Sequence, residues 1–285
     1  MAVRKNTLFE QYFVPMARLF IDRNEIYRFA NSINWERECD RISDPNLIYP
    51  NYYRGKNFHG VEGGYLNRGA AVTYDLVTQY ALPPHEAWVR QGLIAAVRSQ
   101  PQRILDLGCG TGSTTVLLKQ AFPEAEVVGI DLSPFMLVMA ERKAQAANLD
   151  IHWRHCKAEQ TPFADRSFDL VTASLLFHEL PPLISEAVLR ESFRLLKTGG
   201  EVLIQDGNQR TLRRTGWLTQ IFEEPYIQSY AKESVEAWMG RAGFRLIQNQ
   251  EYLWVHQVTR GIKPSRHNYL SLVNRNLELP GAVAV

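Results

Sequence analysis

Cysteine is scarce in this chain, and a marked excess of charge of either sign is missing. Three cysteines, Cys39, Cys109 and Cys156, are scattered through 285 residues. An odd count without paired spacing excludes a disulfide framework and a thiolate metal site, so no metal is expected, and a reducing, cytoplasmic setting fits. Basic residues number 32 and acidic ones 30, for a formal net charge of +2. A dedicated nucleic-acid binder gathers positive charge on one face. None is expected here, and the short basic run RTLRR (210–214) reads as a solvated loop. Long apolar runs are also absent. No stretch approaches the roughly 18 apolar residues that span a bilayer. The opening MAVRKNTLFEQYF lacks the apolar centre of a secretory leader. The expectation is no transmembrane segment, with peripheral membrane contact and oligomeric state left open. No internal repeat is visible.

What is present is ordinary globular material. Hydrophobic residues make up 45% and charged residues 22%, enough for a sizeable core. The texture divides the chain into 1–85, 86–264 and 265–285. The first part is rich in Tyr, Phe and Asn. Leu8, Tyr12, Phe13, Met16, Leu19 and Phe20 recur at helical spacing. NLIYPNYYRGKNFHGVEGGYLNRGAA then carries one proline and five glycines, which argues against long elements. This part reads as a helical and loop cover, and the last part is a tail without pattern.

From residue 86 short apolar strands alternate with amphipathic helices. HEAWVRQGLIAAVRSQ reads as a helix, RILDLG as a strand, TGSTTVLLKQAF as a helix and EVVGID as a strand. SPFMLVMAERKAQAAN is a helix with Ser133 as its N-cap and Pro134 in its first turn. IHWRHC, FDLVTASLL and EVLIQD are further strands; LISEAVLRESFRLL is a helix with KTGG as its stop, and YAKESVEAWMGRAGF is a helix ending at Gly243. Such alternation implies right-handed crossovers and a doubly wound, mainly parallel α/β sheet.

Within that pattern one loop stands out. ILDLGCGTG puts Gly108, Gly110 and Gly112 between a strand and a helix. Absent side chains let backbone approach a ligand, and the carboxyl edge of a parallel sheet is where nucleotide cofactors bind. Asp131 ends the next strand, where a carboxylate can accept from both hydroxyls of a ribose. The spacing is G-x-G-x-G, and Asp106 stands beside it. A diphosphate favours G-x-G-x-x-G and a helix N-terminus free of negative charge. The loop is better suited to a cationic amino-acid end.

ILDLGCGTG, VVGIDLSPFML, KAEQTPFADRSFDLVTASLLFHEL and VLRESFRLLKTGGEVLIQD together resemble the class I S-adenosylmethionine-dependent methyltransferases, in the small-molecule branch of ubiquinone and menaquinone biosynthesis. The resemblance covers roughly residues 86–262 and implies a Rossmann-like seven-stranded sheet with its last strand antiparallel. It implies that S-adenosyl-L-methionine is the cofactor and S-adenosyl-L-homocysteine the product. Asp106, Gly108 and Gly110 would face the methionine end, Asp131 the ribose and Leu132 the adenine. Ala158 and Glu159 fall where the family's adenine-edge loop does. Lys157 stands where the family often has an acid, which leaves that edge to Glu159 or a backbone carbonyl. Ser174 and Leu175 would lie beside the transferring methyl.

The acceptor is written less clearly. His178, in LLFHELPP, is a candidate base because histidine titrates near neutral pH. Adjacent Glu179 is expected to point away from it. Asp206, flanked by Gln205 and Asn208, is placed to orient a substrate, and His59 and Tyr65 lie in a glycine-rich segment of the kind that closes over a site as a lid. The aromatic cover suggests a small aromatic or lipid-like acceptor, a quinol or phenol methylated at carbon or oxygen. The residues also leave open a cofactor-binding regulator on the same fold and, with less support, a dinucleotide-dependent oxidoreductase. SLLFHELPP lacks the N/D-P-P-Y/F pattern of nucleic-acid amino-methylating enzymes.

Overall fold

A computed structural model describes residues 23–58, 61, 63–81, 86–215 and 224–265. His59, most of the stretch 8–30 and all but the first residue of the tail 265–285 lie outside the described residues. Five strands run parallel: β1 (Arg103–Leu107), β2 (Glu126–Asp131), β3 (His152–His155), β4 (Phe168–Ser174) and β5 (Leu196–Gly207). The sheet ends with β6 (Arg245–Tyr252) and β7 (His256–Ile262), and its order is β3-β2-β1-β4-β5-β7-β6. β7 is antiparallel to both of its neighbours. The seven-stranded sheet with a reversed last strand is the one expected.

Strand alternation sorts the core into two layers. Leu105, Val128, Val171 and Val202 pack on one face, with α7 (Pro182–Leu195) and α10 (Val235–Ala242). Ile104, Val127, Leu170 and Leu203 pack on the other, with α4 (Glu86–Ala96) and α5 (Ser113–Ala121). Successive side chains on a strand point to opposite faces, so a sheet buried on both sides reads as a continuous apolar run. α6 (Pro134–Ala146) starts where expected: the Ser133 hydroxyl accepts from the Met136 N–H at 3.2 Å.

The N-terminal cover has its own small core. α1 (Arg23–Asn31), α2 (Trp35–Ile42) and α3 (Arg68–Ala81) bring Ile33, Trp35, Phe58, Tyr65 and Ala71 against Met136 and Val138 of α6. Polar ties fix it from outside. The Asp44 N–H donates to His155 Nδ1 at 3.0 Å, and Lys143 pairs with Asp75 at 2.8 Å.

Four local readings are corrected. A 14-residue helix, α3, begins inside the glycine-rich stretch because the Asn67 side chain accepts from the Ala70 N–H at 2.7 Å and caps it. KTGG is not a stop; it extends β5, bonded through Gly199 and Gly200 to the Lys263 backbone, with the register shift absorbed between Phe168 and Leu170. YAKESVEAWMGRAGF is interrupted: α9 (Ile227–Lys232) ends, and Ser234 caps a new helix by accepting from the Ala237 N–H at 3.1 Å. RTLRR lies in α8 (Gln209–Arg214), capped by Asn208, and Arg213 donates to the Ala231 carbonyl at 2.8 Å.

Candidate active site

The carboxyl ends of β1, β2 and β4 open into a cavity roofed by the N-terminal cover. Of the residues expected at the cofactor, Asp106, Gly108, Gly110, Asp131, Leu132, Ala158, Ser174 and Leu175 line it. Gly108 and Gly110 both have left-handed backbone, with φ of 59° and 54°. A Cβ on Gly108 would strike Leu176 at 2.7 Å, whereas one on Gly110 meets nothing within 4 Å and would stand in open space. Gly110 is therefore bare toward the ligand, as a backbone cradle requires. Gly112 serves packing: a Cβ there would meet Trp153 at 2.7 Å. Leu175 holds a left-handed φ of 59° without being glycine, a strained wall residue at the end of β4.

The two acids at this end are held differently. Asp131 accepts from the Gly110 N–H at 2.8 Å and the Ser133 N–H at 2.7 Å, tying the glycine loop to β2. Asp106 is buried, with Thr115 and Thr172 hydroxyls donating to it at 2.6 and 2.8 Å. Burial pushes both carboxyls up to about 6, against those hydrogen bonds. Both remain ionised at neutral pH. The lining fits S-adenosylmethionine in its chemistry: a backbone cradle, a carboxylate able to accept from hydroxyls and negative charge for a cationic ligand. Arg90 of α4, buried and bonded to Glu86 and Thr114 at 2.8 and 2.7 Å, lines the same cavity. The sequence reading missed it, because a Glu86–Arg90 spacing of four looks like a surface helix pair. Glu159 is not on the wall; its carboxylate accepts from the Tyr52 hydroxyl at 2.8 Å.

The other end is aromatic. Tyr52, Tyr53, Phe58, Tyr65 and Tyr74 line it, with Phe58 stacked on Tyr65 at 5.4 Å. Among the described residues the carboxylate at this end is Glu179, whose Oε1 accepts from the Tyr65 hydroxyl at 2.6 Å. Burial and the Glu179 charge hold the Tyr65 phenol well above its usual range, so it stays a donor. His178 sits behind this wall. Its Nδ1 meets Asp206 at 2.7 Å and its Nε2 stands 3.9 Å from Glu179. The expectation that adjacent 178 and 179 diverge fails because residues 177–179 form a tight 3₁₀ turn. Asp206 staples that turn, accepting also from the N–H groups of Phe177 at 2.8 Å and His178 at 3.2 Å. Gln205 and Asn208 are committed elsewhere, to the Val89 carbonyl and to the α8 cap.

Burial opposes a charge on His178, but Asp206, Glu224 and Glu179 outweigh it and lift the imidazole to about 9. His178, Glu179 and Glu224 bring ligand-type atoms within 4.8 Å of one another. The same carboxylates that favour an imidazolium at His178 surround it on this side of the cavity wall.

A methyltransferase-domain model matches residues 104–200 of the chain. The demethylmenaquinone methyltransferase of Thermus thermophilus is 39% identical over 117 residues, 41% of this chain and 52% of that protein. The chain thus spans about half the length of that protein and of the demethylmenaquinone methyltransferases of Deinococcus radiodurans and Lactobacillus johnsonii. The ubiquinone/menaquinone biosynthesis C-methyltransferase UbiE of Xanthomonas axonopodis is 31% identical over 207 residues, 64% of this chain and 81% of that protein. Human N-acetylserotonin methyltransferase in complex with its cofactor shares the fold, with a TM-score of 0.56 at 17% identity over 70% of this chain and 58% of that one. The methyltransferase-domain match and the UbiE relative, covered over 81% of its length, show the family: the chain belongs to the class I S-adenosylmethionine-dependent methyltransferases. Within that class it is similar to the ubiquinone/menaquinone biosynthesis C-methyltransferases.

Proposed function

We propose that the protein transfers the methyl group of S-adenosyl-L-methionine to a small hydroxylated aromatic acceptor, a phenol or quinol, at ring carbon or oxygen. The observation that carries this reading is the shared cavity: a bare glycine cradle with Asp131 at one end, an aromatic wall with Glu179 at the other. Bound S-adenosylmethionine supplies an already activated methyl, so the protein's work is alignment and control of charge. Asp131 takes the ribose hydroxyls, Leu132 and Ala158 flank the adenine, and Gly108, Gly110 and the Asp106 charge receive the methionine end. Ser174 and Leu175 lie beside the methyl. Tyr65 and the His178–Asp206 pair serve the acceptor side, and the cover acts as its lid. Three buried free cysteines support a cytoplasmic setting, and no described helix is long and apolar enough to cross a membrane.

Label from methyl-labelled S-adenosylmethionine, added with the protein to a cell extract, is expected in a small aromatic product. Label appearing in protein or nucleic acid instead overturns the acceptor class. Failure of S-adenosylhomocysteine to bind by calorimetry overturns the whole reading.

A further inference from the structure

Resting on that reading, we propose that Glu179 is the residue that meets the acceptor: it takes the proton from the acceptor's hydroxyl during methyl transfer and excludes anionic acceptors. Three observations carry this. Glu179 lines the cavity and His178 does not. The Tyr65 hydroxyl, 2.6 Å from Oε1, fixes the carboxylate from the cover side. Asp206 fixes it from the sheet side, through its bonds to the Phe177 and His178 N–H groups at 2.8 and 3.2 Å and to His178 Nδ1 at 2.7 Å. His178 is then a positioning residue, its ring 3.9 Å behind the carboxylate.

In the step, the acceptor's oxygen or ring carbon bonds to the methyl carbon. The S–CH₃ bond breaks and its electron pair stays on the sulfur of S-adenosylhomocysteine. The hydroxyl proton passes to Glu179 and later to water. Where carbon is methylated, the resulting dienone loses its ring proton to water and regains one on oxygen.

Selectivity follows from charge. Among the described residues the cavity wall carries Asp106, Asp131 and Glu179 against one cation, Arg90. A cationic cofactor offsets part of that excess, and an acceptor bearing a carboxylate or phosphate would add to it. The Arg90 guanidinium is bonded to Glu86 and Thr114 and belongs to the α4 side of the cavity.

The test compares wild type with Glu179→Gln, a near-isosteric change, after matching thermal unfolding and S-adenosylhomocysteine affinity. The probes are 1,4-naphthalenediol and its 2-carboxylate. Wild type is expected to favour the neutral probe at least tenfold in kcat/KM. Glu179→Gln should lower kcat about a hundredfold, the range of a lost general base, while cofactor affinity moves less than twofold and the bias against the carboxylate narrows. His178→Gln should lower kcat less and remove a basic limb of the pH profile near 9. Turnover of Glu179→Gln within threefold of wild type overturns the inference and leaves the methyltransferase reading intact. So does equal use of both probes, or activity lost to a chelator and restored by a divalent cation. If neither probe turns over, binding to the S-adenosylhomocysteine complex decides. Neutral-probe affinity must fall several-fold in Glu179→Gln, and an unchanged affinity overturns the inference. Absence of cofactor binding in wild type brings down the functional reading itself.

Discussion

The two ends of the cavity are built in opposite ways. At the cofactor end, Asp106, Gly108, Gly110 and Asp131 come from adjacent parallel strands and the loop that follows β1, so sheet register and the Gly110–Asp131 hydrogen bond set their spacing. At the acceptor end, Tyr65 and Glu179 lie 114 positions apart and meet through one hydrogen bond. Glu179 in turn depends on Asp206, from a third element. Local construction confines damage, whereas remote construction spreads it. A substitution at the cofactor end should therefore show in ligand affinity, and one at the acceptor end in stability first.

Asp206→Ala is the most severe break of that contrast. It strands the N–H groups of Phe177, His178 and Gly207 in the interior and removes the partner of a buried imidazolium. Uncompensated buried groups of this kind cost about 3–5 kcal/mol, and urea unfolding should register it. A loss under about 1 kcal/mol would mean that the turn is held by packing alone. Asp131→Ala tests the other end. Cofactor affinity measured by calorimetry should weaken by about 1.5–3 kcal/mol, the value of hydrogen bonds to a charged group. Unfolding should shift less than for Asp206→Ala. Unchanged affinity would remove Asp131 from the ribose. Smaller again is Tyr65→Phe, which deletes one hydroxyl that donates to Glu179. About 1.5 kcal/mol of stability should go, with cofactor affinity untouched. Equal losses in both would mean that the ends are coupled.

The same contrast explains what could be read from the sequence. β1, the glycine loop, β2 and the Ser133 cap were legible because each is specified within a few residues: apolar run, turn, cap. The layering of Ile104 against Leu105 follows from a period of two. The acceptor end offers no such signal. Residues 177–179 follow neither the period of a strand nor that of a helix, so nothing in LLFHELPP says whether His178 or Glu179 faces the cavity. Glu159 reads in sequence as a candidate for the adenine edge, yet Tyr52 of the cover holds it. The split between α9 and α10 was hidden because Tyr230, Val235 and Trp238 stay buried across the break, preserving one apolar pattern while Ser234 starts a new helix. Arg90 was hidden for the reason that makes it informative: a buried guanidinium and a surface one are spelled alike.

The smallest effect separates folding from binding by their signs. Burial lifts Asp106 and Asp131 to about 6, above their unfolded value of 3.8. The folded protein then binds more protons than the unfolded chain between those values. Through these two groups, stability of the free protein rises as pH falls from 7 through 6, the reverse of a paired surface acid. Cofactor binding moves the other way. A cationic ligand prefers the ionised carboxylates, so affinity falls as pH drops below about 6, by at most about tenfold per pH unit for each group. Thermal unfolding between pH 7 and pH 5, with and without S-adenosylmethionine, measures both at once. The free protein should gain or hold its midpoint while the increment from cofactor shrinks. Asp131→Asn should remove part of that shrinkage and leave the Asp106 share. If the increment stays constant down to pH 5, the charge of these acids plays no part in holding the cofactor, and the cradle works through backbone and shape alone.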